Sequence, residues 1–244
     1  MGRMPETIKF LIIVNILFFL GTLFLQGFPF QLFSLFYFEN PNFKIWQPIT
    51  HMFMHGGMFH ILFNMYALWA FGSPLEMQWG RNRFLFFYFS AGLGAALVHT
   101  GVNYYQVHVA VDAMMALGNS YEASIQALTT NVYQGPPVDE ATKALMASGY
   151  AAFNTPAVGA SGAVYGILVA FGMMYPNVGL MLIFFPVPIK AKYFIPGLIL
   201  LDLFAGITGT SFGIAHWAHI GGALFGFIMA YYWKKNSFDS HRWN

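Results

Sequence analysis

The run AVGASGAVYGILVAFGMMY, residues 157–175, decides the class of fold. Nineteen positions pass without a charged side chain, close to the roughly 20 apolar residues that a helix needs to cross a bilayer. Working outward, apolar segments bounded by polar or turn residues give five more such runs, at about 8–27, 59–77, 84–104, 193–210 and 214–233. Composition agrees: of 244 residues, 57% are hydrophobic, 19% aromatic and only 8% charged, the last about a third of the share in a soluble domain. This excludes a disordered chain, a nucleic-acid binder and a conventional cytosolic enzyme. The absence of cysteine removes a thiol nucleophile, a disulfide framework and thiolate metal sites. The expected fold is an all-α membrane protein, a bundle of six transmembrane helices.

The few charges orient the bundle. The first run is too long for the apolar region of a signal peptide and no Ala-x-Ala type site follows it, so it reads as a retained span. An even number of crossings then puts both termini on one side. Arg3 and Lys9 precede the first run, Arg81 and Arg83 lie between the second and third, Lys190 and Lys192 precede the fifth, and Lys234, Lys235 and Arg242 follow the sixth. Nine of the eleven basic residues therefore share one side, which the positive-inside rule makes cytoplasmic. Lys44 and Lys143 fall on the other side, in two long loops. The aromatic loop 28–58 (Phe28, Phe30, Phe33, Phe36, Tyr37, Phe38, Phe43, Trp46) is expected to lie in the membrane interface. The segment 105–156 reads as an outer insertion of two or three short helices, one starting at Pro136, Pro137, Asp139 and Glu140 and stopping at Gly149.

Polar groups inside apolar spans are costly and ask for a reason. The fourth run opens with Gly159-Ala160-Ser161-Gly162, and the sixth carries Ala218-His219-Ile220-Gly221-Gly222 with His216 one turn earlier. Tyr175 to Ser161 and Trp233 to His219 are both 14 residues, so hydroxyl and imidazole share a depth of about 21 Å from the inner boundary. Gly162 with Gly166, and Gly222 with Gly226, are spaced to let the two backbones approach. A serine hydroxyl within reach of an imidazole is an activated nucleophile, with His216 as the second choice of base. On the second run His60 and Asn64 share a helix face near the same level. Together with backbone N–H groups around Ser161, they could hold a developing oxyanion. Taken alone, the Gly-Ala-Ser-Gly stretch reads first as helix packing, and His60 with Asn64 as an interhelical hydrogen bond.

Taken together, His60-x-x-x-Asn64, Gly159-Ala160-Ser161-Gly162, Tyr165 and Ala218-His219-x-Gly-Gly222-x-x-x-Gly226 resemble the rhomboid family of intramembrane serine proteases across all six runs. The resemblance implies Ser161 as nucleophile, His219 as general base and then acid, and His60 and Asn64 with the Ser161 N–H as oxyanion hole. It also implies that Tyr165 packs against the imidazole. Trp46 resembles the half-submerged first loop of the family, and Glu76 with Gly80 its Glu-x-x-x-Gly. Two departures stand out: Gln47 follows Trp46 where many members have Arg, and the 105–156 insertion is longer than in minimal members.

Other readings fit less well. His51, His55 and His60 lack a nearby carboxylate and a His-Glu-x-x-His spacing for a metal. His51, His55 and His99 read as interfacial histidines satisfied by headgroups, water or backbone. Asp202 is the only carboxylate well inside a run, so an aspartyl dyad cannot be built, and its expected role is an interhelical hydrogen bond. Pro186, Pro188 and Pro196 cluster once, without the paired broken helices of a transporter. The expectation is a protease of the inner membrane of a bacterium acting on transmembrane protein substrates within membrane lipid, with no nucleic acid, metal or cofactor. The alternative is an inactive relative that binds client helices.

Overall fold

In the computed structural model, residues 4–182, 185–209 and 215–236 are described. Arg3 and Arg242 of the charge pattern, and the head of the sixth run, lie outside them. A helix covers each of the six apolar runs. The first is α1 (Glu6–Phe24). The second is α4 (Met58–Ala67), continuous through a π-helical turn at Leu68–Gly72 with α5 (Ser73–Trp79). The loop between holds two short helices, α2 (Phe28–Phe33) and α3 (Gln47–Thr50), with a 3₁₀ turn at His51–Phe53. The remaining runs become α6 (Arg81–Ala116), α9 (Ser161–Met174), α10 (Ala191–Thr208) and α11 (His216–Asn236). Among the described residues, α1, α6 and α10 are long and apolar enough to cross a membrane unaided.

Three expectations change. First, α6 does not stop near residue 104 but runs 36 residues to Ala116, about 54 Å at 1.5 Å per residue. Its polar positions Asn103, Gln106, His108 and Asp112 tolerate helix, and only Gly118, at φ +92°, ends the run. Two helices follow it, α7 (Tyr121–Thr130) and α8 (Glu140–Asn154). Second, Asp139 caps α8 by accepting from the Thr142 N–H at 2.7 Å, but Gly149 sits inside the helix and not at its stop. A methyl group there would lie 2.3 Å from the Ala110 Cβ, so Gly149 marks a close crossing of α8 on α6. Third, the chain is not purely helical. An antiparallel hairpin of β1 (Gly179–Leu182) and β2 (Phe185–Lys190) precedes α10, pairing Gly179 with Lys190 and Leu180 with Ile189. Pro186 and Pro188 lack the N–H that a helix interior needs, and Val187 and Ile189 favour an extended chain.

α9 is the central element, buried at almost every position from Gly162 to Phe171, with α6, α10, α11 and the π turn packed around it. The ends of the helices sort into two groups. Trp79 meets Trp233 edge-on with ring centres 5.2 Å apart, and the Arg83 guanidinium lies 5.4 Å from the Trp233 ring centre. Tyr175 donates to Gln78 at 3.0 Å, and the Lys192 N–H to the Pro176 carbonyl at 3.1 Å. Arg81, Arg83, Lys192, Lys234 and Lys235 therefore gather at one end of the bundle, away from the heads of α9 and α11. At the basic end the buried Glu76 carboxylate accepts from the N–H groups of Thr7 and Ile8 at 3.2 and 3.0 Å. It occupies the first turn of α1, where unsatisfied donors and the positive helix end favour an anion.

Candidate active site

At the other end, Gly159 sets up the head of α9. Its φ of +119° belongs to the region that disfavours a side chain, and a methyl there would lie 2.7 Å from His60 Nε2 and 3.4 Å from Ser161 Oγ. The chain entering α9 is held at two more points. Leu35 and Ala157 exchange both backbone hydrogen bonds at 2.9 Å, and the Gly159 N–H donates to the His51 carbonyl at 2.9 Å. Gln47 is fully buried in the same loop: its Oε1 accepts from the Phe36 N–H at 3.2 Å, and its Nε2 donates to Leu32 and Asn42 carbonyls at 3.3 and 2.9 Å. The neutral amide thus ties loop strands together at a position where a charge would have to be desolvated.

Close backbone contact brings α9 and α11 together. A methyl on Gly222 would fall 1.8 Å from the Gly162 carbonyl oxygen, and one on Gly226 2.5 Å from the Gly166 Cα. Gly162 and Gly166 are in turn backed by Ala95 and Ala91 of α6. At this separation His219 Nε2 lies 2.8 Å from Ser161 Oγ. The imidazole stacks on the Tyr165 ring, centres 4.2 Å apart and planes 12° from parallel. Both His216 and His219 are buried, and both turn Nδ1 toward Asp202 Oδ1, at 2.5 and 3.2 Å. The Tyr165 hydroxyl donates to the other oxygen of Asp202. His216 points to Asp202 and makes no hydrogen bond to Ser161 among the described residues, whereas His219 bridges the two.

His60 approaches the pair from α4 through its contact with Gly159. Its Nδ1 accepts from the Gly56 N–H at 3.5 Å, which assigns the ring hydrogen to Nε2, the atom beside Gly159. Asn64, one turn along the same face, is buried, and its Nδ2 has no hydrogen-bond partner among the described residues. An unused buried donor of this kind costs free energy unless something else accepts from it. Of the other histidines, His51 meets a backbone partner as expected, the Gln47 carbonyl at 2.9 Å, but from a buried position. His55 is buried as well, with its ring edge-on to His60 at 5.0 Å. His99 Nε2 lies 3.2 Å from the Asn103 amide.

Asp202 makes the interhelical hydrogen bond expected of it, and makes it to two neighbouring helices. Its signal was present, since a lone carboxylate in an apolar span is a functional-site hypothesis by default. What the chain could not reveal was that it serves two imidazoles and a phenol at once.

A rhomboid domain model matches residues 42–135 and 138–236, most of the chain. The chain belongs to the rhomboid family. It is therefore a multi-pass helical membrane protein. Among curated rhomboid relatives, it is 29% identical over 175 residues to the mitochondrial presenilin-associated rhomboid-like protein of Bos taurus, covering 71% of this chain and 34% of that one. The rhomboid protease AarA of Providencia stuartii is 26% identical over 196 residues, 76% of this chain and 54% of that protein. The rhomboid protease GluP of Bacillus subtilis is 36% identical over a shorter stretch of 52 residues, 21% of this chain and 10% of that one. This rhomboid chain thus spans about a third of the mitochondrial relative and about half of the Providencia one.

Proposed function

We propose that this rhomboid is an intramembrane serine endopeptidase that cleaves single-pass transmembrane substrates near the outer membrane face. One observation carries the reading: a serine hydroxyl and an imidazole nitrogen 2.8 Å apart inside a membrane bundle. Ser161 Oγ attacks the scissile carbonyl carbon while His219 Nε2 takes its proton. The resulting oxyanion accepts from the Ser161 N–H, His60 Nε2–H and Asn64 Nδ2–H, so that the buried amide gains a partner that it lacks among the described residues. His219 returns the proton to the leaving amine, the C–N bond breaks, and the acyl-enzyme remains. Water entering from the outer side, deprotonated by His219, hydrolyses the ester and restores Ser161. No metal or cofactor takes part.

Six spans with both termini in the cytoplasm, in the inner membrane of a bacterium, complete the proposal. The gathering of Arg81, Arg83, Lys192, Lys234 and Lys235 at the end opposite Ser161 supports it.

Cleavage of a model single-pass substrate in reconstituted vesicles tests the reading. Ser161→Ala and His219→Ala are expected to abolish turnover and, for Ser161→Ala, labelling by a serine-directed phosphonate. His60→Ala and Asn64→Ala should each lower turnover about 10²-fold, as for a lost oxyanion donor. Undiminished cleavage by Ser161→Ala would exclude the serine mechanism, and loss with His216→Ala but not His219→Ala would move the base. A folded chain that binds the substrate helix, cuts nothing and takes no label is a non-catalytic client binder.

A further inference from the structure

We propose that Asp202 is the third member of the catalytic set, a positioning residue that fixes the tautomer of His219 and holds its positive charge during turnover. The inference rests on the serine-protease reading and deepens it, replacing a two-residue mechanism by a three-residue one. Three helices converge on this carboxylate. α10 contributes Asp202, α11 contributes His216 and His219 to Oδ1 at 2.5 and 3.2 Å, and α9 contributes the Tyr165 hydroxyl to the second oxygen. Asp202 is buried, and is the only carboxylate, in a helix that is itself the least buried of the long apolar helices among the described residues. An ionised carboxylate there is tolerated only with a full set of donors, and this one has three.

The geometry has a chemical consequence. With Nδ1–H donated to Asp202, the Nε2 lone pair of His219 is directed at Ser161 Oγ, the tautomer that a general base requires. When Nε2 takes the serine proton, the imidazolium forms against a fixed negative charge. Tyr165 contributes twice, its ring stacked on the imidazole and its hydroxyl steering the carboxylate. Packing of Tyr165 on the imidazole therefore accounts for only part of the support that His219 receives. His216 shares the carboxylate oxygen and, among the described residues, makes no hydrogen bond to Ser161, so it belongs to the mounting of Asp202.

The experiment compares the full chain with Asp202→Asn, Asp202→Glu and Tyr165→Phe in vesicles, reading kcat and KM separately with thermal stability alongside. Asp202→Asn keeps the shape but loses the charge and one of the two acceptor oxygens, and can present an N–H donor where His219 needs an acceptor. It is expected to lower kcat about 10²-fold or more with KM within about 2-fold. Asp202→Glu should recover part of that loss, and Tyr165→Phe, which keeps the stacked ring, should lower kcat about 10-fold. A wild-type kcat in Asp202→Asn, beside an inactive Ser161→Ala, would overturn the role of Asp202 and leave the serine mechanism standing. Activity in Ser161→Ala would overturn the mechanism itself. Should Asp202→Asn fail to fold, the kcat of Tyr165→Phe decides, and no change in it counts against the proposal.

Discussion

His51 shows how one buried side chain links stability to pH. It sits in the loop segment that carries the head of α9, outside the spanning helices, with Nδ1 2.9 Å from the Gln47 carbonyl and its own carbonyl holding the Gly159 N–H. Burial pushes its imidazole from 6.5 down to about 4, against a smaller upward pull from the Gln47 and Pro48 carbonyls. The folded protein therefore keeps His51 neutral where the unfolded chain would protonate it. The stability this contributes is complete above the ordinary value of 6.5 and is lost progressively as pH falls toward about 4. Thermal unfolding in detergent should show that decline, and His51→Gln should make the slope shallower over the same window. An unchanged slope would mean that other groups control acid unfolding. Asn64 illustrates the opposite case at residue scale: a buried donor with no partner among the described residues lowers stability, and the proposed oxyanion would supply one.

Among the elements, the crossing of α9 and α11 controls whether Ser161 and His219 meet. Gly222 and Gly226 carry no side chain because the opposing backbone occupies that space. Gly222→Ala would force a methyl to within 1.8 Å of the Gly162 carbonyl oxygen unless the helices part. A displacement of about 1 Å at a reacting pair can cost about 10²-fold in rate, so Gly222→Ala is expected to lose about that much turnover. Gly197→Ala on α10 provides the contrast, since a methyl there meets nothing within 4 Å. Its turnover should match wild type, and equal losses in both variants would show that helix glycine content, and not the crossing, is what matters. The Gly spacing was legible from residue numbers alone. The partner of each glycine was not, because it depends on how two helices separated by more than 40 residues cross.

At the scale of the molecule, the loop 28–58 and the 105–156 segment form one body above the site. Tyr37 packs with Val107, Val111, Met114, Leu128 and Phe153 in a core separate from that of the bundle. Asn40 donates to the Phe153 carbonyl at 2.8 Å, and Tyr121 to Glu39 at 2.9 Å. The loop in turn pairs with Ala157, four residues before Ser161, so the extended α6 and the helices after it brace the chain that leads into α9. The absence of cysteine makes the proposed orientation simple to test. Lys143→Cys on α8 and Lys235→Cys at the end of α11 introduce single thiols in a cysteine-free background. A membrane-impermeant maleimide added outside intact cells should label Lys143→Cys, and should reach Lys235→Cys only after the membrane is opened. The reverse pattern would invert the topology.

The chain alone determined where the helices lie, because long apolar runs have few ways to satisfy their backbone in lipid, and it singled out Ser161 and His219 because polar groups there are costly. It also determined that small residues line the same face as His219, since helical periodicity is a local property. Helix ends were legible only where a cap or a breaker marks them: Asp139 shows the start of α8, whereas α6 continues past residue 104 because none of its polar residues forbids helix. The tertiary structure decided the rest. Asp202 is 17 residues from His219 and 37 from Tyr165 along the chain, and Gln47 reaches Phe36 and Asn42 through a fold of the loop. Such contacts arise from the packing of whole helices and loops against one another, a long-range arrangement that neither composition nor local spacing encodes.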